Sequence, residues 1–158
     1  MKNTIPLLFA GITLLSCQKK EDKTVVQETT VEQTTPATKQ CYLKITGSKD
    51  ETGKTVNDTL QLTIETKGDS VSGEFKWLPY YKDKKKGIFK GTVNGHTANT
   101  LLMAQAEGTT NKEEFIFDFN NEQATVKFGE MTKGEDGIWY YTDKNTLSKE
   151  KIPKVECK

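Results

Sequence analysis

His96 is the only histidine in the chain, and no nucleophile motif accompanies it, so a serine, histidine and acid relay for acyl transfer has nothing to build on. It follows Asn94 and Gly95, a pair that marks a tight turn, and is read as a turn residue. Glu113 and Glu114 are adjacent acids of the kind used in general acid and base work. Neighbouring residues of a strand point to opposite faces, however, so these two do not share a site, and Glu114 and Asp118 flank Ile116 as a solvated face would. Cysteines and histidines nowhere take metal-ligand spacing. The expectation is a protein with no catalytic residues, no metal and no cofactor, and not an enzyme. The most distinctive stretch is "WLPYYKDKKKG" at residues 77–87, where Trp77, Tyr80 and Tyr81 stand beside Lys82 and three further lysines. Aromatic faces next to cations suit a sugar or an acidic ligand, which makes Trp77, Tyr80, Tyr81 and Lys82 the candidate binding residues. The plainer reading of the same residues is a long hairpin with a soluble tip and an edge bent by Pro79.

The elements that would hold such a platform are almost all of period two. "TLQLTIET" sets Leu60, Leu62 and Ile64 on one face, "VSGEFKW" does the same with Val71, Phe75 and Trp77, and "EFIFDF" with Phe115, Phe117 and Phe119. Turn signals separate these runs, among them "KGDS", "NG" and "KGEDG", and no connection has the length of a crossover helix. The pattern predicts an all-β domain of about eight antiparallel strands, near 41–47, 59–66, 70–81, 86–94, 97–107, 113–120, 123–131 and 137–142. An up-and-down meander of that size closes into a small barrel, with a two-sheet sandwich as the alternative. One helical turn is expected near residues 146–151, ended by Pro153. Large rings alternate with Gly73, Gly91, Ala104 and Ala106, which favours an interior filled by its own side chains.

Lys2 and the apolar segment at residues 5–15 form a positive n-region and an h-region too short to span a bilayer. The residues "LLSC" that follow, Leu14 to Cys17, resemble the lipobox of bacterial lipoproteins, although Leu15 departs from the smaller residues commoner at its position. That resemblance implies cleavage after a signal peptide of residues 1–16 and acylation of Cys17. Acyl chains at one end would then be the membrane contact, two or three of them holding far longer than one. Gln18, rather than aspartate, after the cysteine implies sorting to the outer membrane of a Gram-negative bacterium. "QKKED" resembles the lysine-then-acid tag of surface-exported lipoproteins, which leans toward the outer face without settling it.

Residues 17–39 are rich in Thr, Gln, Glu and Lys and too poor in apolar residues to fold, so they read as a flexible tether ahead of a domain at 40–158. Loss of residues 1–16 removes one lysine and no acid, leaving 22 charges of each sign, and there is no arginine. A neutral chain without arginine is poorly suited to nucleic acid. With Cys17 acylated in an oxidising compartment, Cys41 and Cys157 are left to pair as a disulfide. The expected function is that of a lipocalin-like binding module for a small molecule or glycan, lipid-anchored at the outer membrane. The alternative is an envelope scaffold that binds another envelope protein.

Overall fold

The computed structural model describes residues 36–158. The expected signal peptide, Cys17 and the expected tether as far as residue 35 lie outside the described residues. Ten strands form among those described, and no helix. They are β1 (Thr38–Lys49), β2 (Thr55–Lys67), β3 (Ser70–Leu78), β4 (Lys85–Asn94), β5 (Thr97–Ala106), β6 (Thr109–Phe119), β7 (Gln123–Phe128), β8 (Met131–Lys133), β9 (Trp139–Tyr141) and β10 (Ser148–Val155). β1 to β7 pair in sequence order, all antiparallel, and β10 lies between β7 and β1, so eight strands close a barrel. Closure joins the two margins of the sheet at Cys41 with Val155 and Tyr42 with Lys154.

The period-two runs take the faces that their sequence demands. Leu62, Ile64, Phe75, Phe89, Leu102, Phe117, Val126 and Ile152 point inward and are almost wholly buried. Phe115 is the hub of the aromatic core, with its ring 4.8 Å from Phe75, 5.5 Å from Phe89 and 5.2 Å from Phe117. Space for the rings comes from small residues on facing strands. Gly73 stands opposite Phe89 in register, and a Cβ there would lie 1.9 Å from the Thr63 carbonyl oxygen and 2.6 Å from the Phe89 ring. The middle of the barrel is filled by interdigitation, as in close-packed protein interiors generally.

Two expectations are overturned. The residues read as a helical turn, 146–151, run into β10, the eighth strand of the barrel, and Pro153 sits within it opposite Gln123. Of its inward positions only Ile152 is large and apolar, while Ser148 and Glu150 are polar, so the strand carries no visible alternation. The run at 137–142 does form a strand, but β9 has three residues and lies outside the barrel. It pairs antiparallel with β8 and touches β6 in parallel at Glu113 and Trp139. The outer face of β6 is consequently covered: Ile116 is buried, and Glu114 accepts from the Tyr141 N–H at 3.2 Å and from Lys144 Nζ at 2.6 Å. β1 also starts at Thr38, because residues 38–40 pair with Ile64, Glu65 and Thr66 of β2.

The barrel has two unlike ends. Gly68 with Asp69, and Gly95 with His96, make two-residue turns at the end where the chain enters β1; Gly95, at φ 60°, takes the left-handed position and Asn94 remains in β4. The opposite end carries residues 50–54, 79–84 and 129–147, together with one tight turn at Glu107 and Gly108, both at positive φ as a type I′ turn requires.

Two buried tyrosines brace this frame. The Tyr42 hydroxyl donates to the Asn120 carbonyl at 2.7 Å, and the Tyr141 hydroxyl donates to the Lys127 carbonyl at 2.7 Å. Burial pushes the Tyr42 phenol up to about 12; burial, then the charges of Glu114 and Glu113, push Tyr141 up to about 12 as well. Both folded-state values exceed the ordinary 10, so the stability that they contribute is complete below pH 10 and is lost as the pH climbs from 10 to 12. The slope is about 1.4 kcal/mol per pH unit for each tyrosine. Urea titrations at pH 9, 10, 11 and 12 should show this loss, and Tyr42→Phe with Tyr141→Phe should flatten it; an equally steep loss in the double variant would contradict the assignment.

Candidate functional site

Two seams of the barrel are short, and they are treated differently. β6 and β7 pair only over residues 117–119 and 124–126. Beyond that point Tyr141 bridges them, bonded to Lys127 of β7 by its hydroxyl and to Glu114 of β6 by its N–H. β1 and β10 pair only at Cys41 with Val155 and Tyr42 with Lys154. Past Tyr42 the two strands diverge, and nothing on the backbone spans them.

The divergence opens a cleft of about 550 Å³ at the end of the barrel with the longer loops. Lys44 and Thr46 share the inward side of β1 with Tyr42, and Ser148 and Glu150 share the inward side of β10 with Ile152, so the walls of the cleft are polar. Its floor is apolar: Leu60, Trp77 and Phe128, with the Trp77 and Phe128 rings 6.3 Å apart and Phe128 in turn 6.3 Å from Phe75. The Lys44 ammonium and the Glu150 carboxylate form an ion pair across the gap. On the wall beside Trp77, Lys85 stands opposite it in register and binds Glu113 at 2.7 Å. The volume lies within the range of small-ligand sites, and an aromatic floor under a few polar groups is their usual make-up.

Trp77 is therefore in the cleft, while Tyr80, Tyr81 and Lys82 are on the exposed loop 79–84. β3 ends at Leu78, ahead of the buried Pro79, which has no N–H to continue the ladder. The two tyrosine rings meet edge to face at 4.9 Å. Asp58 lines the cleft and accepts from the Tyr80 N–H at 2.7 Å, which ties this aromatic loop to the rim. Lys44, Asp58, Phe128, Ser148 and Glu150 were not among the candidates from sequence. Apart from Phe128, their signal was the reverse of the one sought: polar residues on inward positions of strands that are otherwise apolar inside.

Glu113 and Glu114 face opposite sides of β6, one toward Lys85 and the other toward Lys144. His96 is exposed in its turn. Among the described residues no group of three or more histidines, cysteines, aspartates or glutamates could hold a metal ion. Cys41 and Cys157 form a disulfide, with Cα atoms 5.2 Å apart, at the end of the barrel opposite the cleft. No family model, no curated protein and no solved structure matches this chain.

Proposed function

We propose that this chain is a lipid-anchored protein of a Gram-negative outer membrane, acylated at Cys17, whose barrel is a lipocalin-like module that binds without transforming its ligand. One observation carries the binding reading: the barrel is packed solid at its centre yet left unzipped along one seam, above an apolar floor with polar walls. A fold that needed only stability would have zipped that seam or plugged it, as Tyr141 plugs the other. The anchor rests on "LLSC" and the polar residues after it, and the Cys41 to Cys157 bond fits an oxidising compartment. The chain enters β1 at the end of the barrel opposite the cleft, so the residues ahead of β1 do not begin at the cleft mouth.

Two measurements test this reading. Cys17→Ser is expected to move the protein from the membrane fraction to the soluble fraction and to abolish palmitate labelling; unchanged fractionation overturns the anchor. Trp139→Phe leaves Trp77 as the only tryptophan, and its emission should shift when compounds extracted from the purified native protein are added back. Silence toward every extract overturns binding over Trp77.

The scaffold reading draws on a different face. Ile88 of β4 and Met103 of β5 stand opposite each other in register, 59% and 43% exposed. Two adjacent apolar side chains on an outer sheet face suit a protein contact. They are too few to displace the cleft as the primary site.

A further inference from the structure

β1 pairs with β2 along all of Thr38–Lys49 but with β10 at two residues only. β10 likewise pairs with β7 from Ser148 to Pro153 and with β1 only at Lys154 and Val155. Over residues 43–49 and 148–153, each strand thus presents to the cleft an edge without a ladder partner. Such edges are templates for a further strand, and natural proteins either protect them or use them.

The side chains around this slot fit an extended polypeptide. A strand laid along β1 would alternate its side chains between the interior and the outside. Its inward residues would meet Trp77 and Phe128. Its outward residues would meet Ile45, which stands 58% exposed, paired with Thr59 of β2 on one side and with no strand on the other. The outward rim is one-signed: Lys49 on β1 and Lys149 and Lys151 on β10, with no carboxylate on either strand's outward side over these residues. The nearby acid Asp118 is already bound to Lys127 at 3.0 Å. The Lys44 and Glu150 side chains that bridge the slot are 40% and 42% exposed, so their ion pair is a weak latch.

We propose that the slot between β1 and β10 takes an extended peptide segment of a partner protein, by strand addition to residues 43–49. The segment carries an apolar or aromatic side chain inward onto Trp77 and Phe128, and acidic residues outward toward the lysine rim. This rests on the binding reading above and names its ligand class. A second copy of the chain fits less well, because a slot bounded on its far side by β10 admits one strand and not the body of a barrel.

The test is to pan a displayed library of random twelve-residue peptides against the intact protein in detergent, then map amide hydrogen exchange with a synthetic copy of an enriched peptide. Enriched sequences should alternate apolar with polar or acidic residues. Binding should slow exchange at least tenfold in residues 43–49. Ile45→Lys should weaken binding at least tenfold, whereas Ile88→Lys, on the far outer face, should leave it unchanged. No enrichment, protection elsewhere, or indifference to Ile45→Lys overturns the proposal. If Trp77 emission responds to extracted small molecules but to no peptide, the binding reading stands and the peptide class falls. If it responds to neither, both fall.

Discussion

Replacing Cys41 and Cys157 together by serine lowers the stability of the domain by about 4 kcal/mol. The bond joins residues 116 apart in sequence, and its Cα separation of 5.2 Å is ordinary for a disulfide. Its main effect lies in the unfolded chain, where it removes the freedom of a loop of more than a hundred residues. The chain-entropy relation gives about 4.7 kcal/mol for a loop of that size. For a domain of this length the loss corresponds to a fall of about 10–20 °C in melting temperature. A local effect adds to the global one, because Cys41 belongs to one of only two residue pairs that zip β1 to β10. Without the bond, amide exchange should accelerate first in those two strands. Urea titrations of the oxidised parent and the double variant measure the first effect, and exchange mapping measures the second. A stability loss under about 1 kcal/mol, or uniform acceleration, would contradict this account.

Phe117→Ala costs about 3–5 kcal/mol. Phe117 is fully buried, and its ring lies 5.2 Å from Phe89, 5.2 Å from Phe115 and 5.9 Å from Phe119. The surrounding rings are held on β4 and β6, each paired on both sides, and cannot collapse into the space, so both the lost burial and the remaining void count against the folded state. Phe128→Ala is the matched comparison. Phe128 is only half-buried, at the floor of the cleft, so its loss should destabilise much less while altering the Trp77 emission through the missing ring 6.3 Å away. Equal losses in the two variants would mean that the cleft floor is structurally part of the core.

The contrast between these two phenylalanines also explains what the sequence made legible. Leu60, Leu62 and Ile64 alternate with polar residues because β2 is buried on one side along this stretch, and burial of that kind writes itself as period two. The barrel follows from such strands. β10 was illegible because it lines the cleft: Ser148 and Glu150 occupy inward positions where a core strand would place apolar residues, and Pro153 reads as the end of a helix. Lys44 and Asp58 interrupt their strands in the same way. Trp77 was found because an indole beside lysines is conspicuous, although its neighbours Tyr80 and Tyr81 follow Pro79 out onto the loop. The cover over Ile116 was missed because it depends on residues 131–147 folding back on β6, a long-range contact with no local sequence signature.

The ring is closed by its first and last strands, with Val155 set against Cys41. A polypeptide made from its N-terminal end therefore exposes two raw sheet margins, on β1 and on β7, until β10 has emerged. Partial barrels gain little from the strands already made, and pairing across so long a stretch of chain is slow. Synthesis of this protein thus includes an interval in which a nearly complete polypeptide is adhesive, and a chaperone that shields those margins would govern its yield more than any change within the core.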